Sequence, residues 1–69
     1  MTEPQAGSRS PILEEAAREL EAAAHDARVA FDCVVLGEID RAHTSALTER
    51  AAADAAVTAL QAASEAPGS

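Results

Sequence analysis

Apolar residues recur through the first half of the chain at Leu13, Ala17, Leu20, Ala24, Ala27, Phe31 and Val34. The steps alternate between four and three without a break, the heptad register that keeps one stripe on one side of an α-helix. Ser10 and Pro11 stand just ahead of the stripe. A serine hydroxyl there can accept from a free N–H of the first turn, and proline suits the first helical position. Glu14 and Glu15 follow where the helix dipole favours negative charge, and Glu14 precedes Arg18 by one turn, the favourable order for an ion pair. The pattern predicts a helix over about 11–36.

One flank of this stripe is made of alanine, with Ala16, Ala23 and Ala30 spaced by seven. Small residues in that position let a second helix approach closely and favour tight antiparallel packing. Alanine is also the strongest helix former, so part of the pattern follows from propensity alone. The opposite side is polar up to Arg28 and then changes. Val29, Cys33 and Leu36 place apolar groups away from the stripe, and Val35 widens its flank. One partner helix covers one side only, so this surplus either forms an interface or wraps into the turn that follows.

Gly37 fits a helix stop after Leu36. A second helix is predicted over about 39–64, with Asp40, Thr44 or Ser45 as alternative caps. Its stripe reads Ile39, Ala42, Ala46, Ala53, Val57 and Leu60, with Leu47 and Ala56 alongside and Arg50 interrupting. Residues 1–9 and 65–69 lack any period and read as disordered tails. The expected fold class is all-α, a two-helix antiparallel hairpin with disordered termini, completed into a helical bundle by oligomerisation. The alternative is one long bent helix that pairs along its length.

Composition explains why a partner is expected. The hydrophobic share of the 69 residues is 48%, but 19 of those side chains are alanine. Alanine removes little surface from water, and a chain of this size comes out near zero stability unless a disulfide, a metal or association supplements the core. The single cysteine forbids an internal disulfide and fits a reducing compartment. The start of the chain carries no basic and apolar leader pattern, so a cytoplasmic location is expected. Twelve acids against five arginines give a net charge of −7 with no lysine. Such a chain repels phosphate backbones and anionic lipid, which argues against nucleic-acid and membrane partners.

Candidate chemistry is sparse. Asp40 and His43 have an i, i+3 acid–histidine spacing, and Glu21, His25 and Asp32 lie at helical intervals, but carboxylate-bridged metal bundles use several inward carboxylates with Glu-x-x-His. Cys33 follows the acidic Asp32, a setting that disfavours a reactive thiolate. No glycine-rich phosphate cradle is present. No enzyme, cofactor or metal site is therefore expected. The function expected is a small non-catalytic protein–protein interaction or assembly module, acting as a homodimer or as an accessory subunit of a larger protein. Its candidate interface comprises Leu13, Leu20, Val29, Phe31, Cys33, Val34, Val35 and Leu36. Alternatives are an acidic inhibitor of a partner with a basic groove, and a carboxylate–histidine metal bundle.

Overall fold

The computed structural model describes residues 10–65. They form two α-helices, α1 (Pro11–Val35) and α2 (Ile39–Glu65), joined by a three-residue turn into an antiparallel hairpin. No strand occurs among the described residues. The expected tails at 1–9 and 66–69 lie outside them, while Glu65, read from the sequence as tail, ends α2.

Local chemistry sets both ends of the turn. Ser10 is extended, and its hydroxyl accepts from the Leu13 N–H at 3.2 Å while its carbonyl accepts from the Glu14 N–H at 3.0 Å. Pro11 takes the first helical position, where its missing N–H costs nothing. At the other end Leu36 caps α1 and Gly37 takes φ +80°, the left-handed region that glycine enters without a Cβ penalty. The Glu38 N–H donates to the Cys33 carbonyl at 2.8 Å and the Gly37 N–H to the Val34 carbonyl at 3.0 Å. This is the Schellman pattern, which satisfies carbonyls a helix end leaves free. Glu38 then starts α2 by accepting from the Ala42 N–H at 2.9 Å. The second helix therefore starts ahead of Asp40, Thr44 and Ser45. Asp40 lies in its first turn, and the Thr48 hydroxyl donates back to the Thr44 carbonyl well inside the helix.

The two helices meet along their alanines. On α1 the covered positions include Ile12, Ala16, Glu19, Ala23, Asp26, Ala30 and Cys33; on α2 they include Ala42, Ser45, Glu49, Ala52, Ala56, Ala59 and Ala63. Both sets keep the alternation of three and four residues, so two heptad seams close on each other. Among the described residues the buried side chains are five alanines and Cys33, and no large side chain is fully buried. The covered seam of α1 lies one residue behind the Leu13–Val34 stripe. That single-residue offset is a rotation of about 100°, so α2 covers the alanine flank and leaves the large residues of the stripe exposed. Two alanine faces allow the helix axes to approach to about 8 Å, the close end of helix packing distances.

Candidate interaction surface

An antiparallel hairpin has two broad faces, and the register assigns residues to each. Positions just before the seam on both helices share one face, where Pro11, Glu15, Ala55, Thr58 and Ala62, with Ile12 and Ala59 of the seam itself, line a shallow open groove. That face continues through Arg18, Ala22, His25, Val29, Asp32, Arg41, Thr44 and Ala51, so it mixes charged and polar groups with smaller apolar ones. Positions just after the seam share the opposite face. On α1 they are Leu13, Ala17, Leu20, Ala24, Ala27, Phe31 and Val34; on α2 they are Ile39, His43, Ala46, Arg50, Ala53, Val57 and Leu60.

This second face collects most of the large apolar side chains of the protein. Leu13, Leu20, Phe31, Val34, Ile39, Val57 and Leu60 are between 42% and 64% exposed. None of the acidic residues among 10–65 falls on it. Its ionisable groups are His43 and Arg50, and Arg50 makes no ion pair among the described residues. Single exposed apolar side chains are ordinary on a protein surface; here seven large ones gather on one face of two adjacent helices.

The candidate interface residues therefore divide. Leu13, Leu20, Phe31 and Val34 lie together on the acid-free face. Cys33 is 4% exposed and is taken up between the helices. Val29 is half-buried on the other side of the seam. Val35 and Leu36 are exposed at the turn, where the helix ends. The contribution of α2 to the face, from Ile39, Val57 and Leu60, was visible in the sequence as a helix stripe. Periodicity alone could not say that it lies beside the stripe of α1.

Apart from Arg50 and His43, the charged groups are arranged around this face rather than on it. Arg18 Nη2 donates to Glu15 Oε1 at 2.6 Å, so Arg18 pairs with Glu15 and not with Glu14. Arg41 Nη1 donates to Glu38 Oε1 at 2.6 Å, and Arg28 lies 3.9 Å from Asp32. The hydrogen bond from Arg18 holds the Glu15 carboxyl below the usual glutamate range. A hydrogen bond shared with Glu15 pushes the Glu19 carboxyl above it. Both groups are half-buried at the edge of the seam and still reach water, where such pairs stabilise little.

Among the described residues no three His, Cys, Asp or Glu side chains are grouped so as to hold a metal ion. Asp40 and His43 are both exposed. No helix among the described residues is long and apolar enough to cross a membrane. Comparison with protein-family models, with curated proteins and with solved structures finds no match to this chain.

Proposed function

We propose that this chain is a small non-catalytic interaction module whose working part is the acid-free face of the hairpin. The reading is supported by one inversion of the usual order: alanines fill the contact between the helices, while leucine, phenylalanine, valine and isoleucine face solvent. Covering a leucine or valine contributes about 1.5–3 kcal/mol. Most of the apolar free energy available to this sequence is therefore gained only when another molecule covers that face. The module acts as a homodimer or as an accessory subunit of a larger protein.

Helicity by circular dichroism and mass by ultracentrifugation, followed together on dilution, test this reading. The isolated monomer is expected to unfold over a broad, weakly cooperative transition once diluted to low micromolar concentration. A monomer that unfolds cooperatively there, with the face bare, overturns the proposal.

A further inference from the structure

We propose that the occupant of the acid-free face is a second copy of this chain, laid across it head to tail, so that the turn of one hairpin covers the terminal end of the other. The inference rests on the interaction-module reading above and commits it to one partner and one geometry.

Size is the first argument. A helix of 25 residues is about 37 Å long at 1.5 Å per residue. Two helices side by side are about 19 Å wide, giving a face of about 700 Å². A stable interface covers about 800 Å² per partner, so one further hairpin matches the face. Charge is the second argument. Two copies of a chain carrying −7 repel each other, and the face without acids is where they meet at least cost.

Shape selects the arrangement. Large apolar residues sit toward the two ends of the face, and alanines with Arg50 occupy its middle: Ala24 and Ala27 separate Leu20 from Phe31, and Ala46, Arg50 and Ala53 lie between Ile39 and Val57. Two two-fold arrangements place the faces together. If turn lies over turn, each layer meets its own composition, and the layer of Ala27 and Ala46 becomes four alanines with a void. If the copies run head to tail, α1 crosses α1 with position 24 at the axis. Phe31 then lies over the partner copy's Ala17 and Leu20 over its Ala27. Large over small is how a core reaches native density. Arg50 comes near the axis, where its long stem can carry the guanidinium to the rim.

The test uses the full chain with one added cysteine, since native Cys33 is buried. Mild oxidation of Ala24→Cys should give a disulfide-linked pair in high yield. Ala22→Cys, on the opposite face, should give none, and mixed Ala27→Cys and Ala46→Cys chains should not cross-link to each other. Unmodified chain should sediment at twice 7.0 kDa. A dimer that links Ala27→Cys to Ala46→Cys instead of Ala24→Cys to itself overturns the head-to-tail geometry and leaves the docking face standing. A cooperatively folded monomer at every concentration overturns both readings. A monomer that becomes helical only with phosphatidylglycerol vesicles overturns the second copy as occupant while keeping a face that docks.

Discussion

Ala56 is 1% exposed and Ala16 2%, and the two lie on facing seams. Their Cβ atoms fill the space between the helices, so any larger side chain there must push the axes apart. Ala56→Leu is expected to lower the unfolding free energy by about 1–3 kcal/mol in a denaturant titration, although leucine adds hydrophobicity. A few residues along, Glu15 and Glu19 share a hydrogen bond in which Arg18 stabilises one negative charge. As pH falls Glu19 should take its proton first and Glu15 last, so the Arg18–Glu15 pair persists further into acid. Side-chain carbonyl chemical shifts read by NMR check that order, and the reverse order would show that Arg18 does not dominate the pair.

At the scale of the helix, what decides packing is which of two adjacent stripes turns inward. The two-helix plan was legible: Ser10 with Pro11 starts α1, Gly37 stops it, and the four-three spacing carries each helix. The choice of stripe was not. Leu13–Leu20–Phe31–Val34 is the more hydrophobic set, and hydrophobicity alone would turn it toward α2. The alanine flank wins in the hairpin because helices so closely joined can pack tightly only through small side chains. The corresponding signal in α2, small residues at 42, 45, 52, 56, 59 and 63, was in the sequence but outranked by its leucines and valines. The alanine seam carries a flaw in its middle. Asp26 and Glu49 are both half-buried there, and antiparallel register sets them across from each other. Asp26→Ala removes one of two facing negative charges and adds helix propensity of about 0.5 kcal/mol. It is expected to raise the thermal midpoint of unfolding; a lower midpoint would show that the pairing of Asp26 with His25, 3.6 Å away, matters more.

For the whole molecule, Phe31 separates folding from association. Its ring is 60% exposed in the single hairpin, so Phe31→Ala should change the helicity of the monomer little. In a symmetric pair the substitution removes two rings. Truncating an interface aromatic of this kind costs about 2 kcal/mol each, which corresponds to roughly a thousandfold weaker self-association by sedimentation. A large loss of monomer helicity with unchanged association would place the ring in the folding core instead. The stripe of α1 was legible because its residues are large and periodic. The companion stripe of α2 was not assignable to the same side, because which faces of two helices align depends on the turn.

That turn also governs where things come out. Three residues reverse the chain, so Pro11 and Glu65 emerge at the same pole of the hairpin. Two hairpins laid head to tail would then display one pair of exits at each extremity, about a helix length apart. Whatever is attached to either extremity of the sequence would be delivered twice, facing opposite ways, and the rod between would act as a spacer of fixed length.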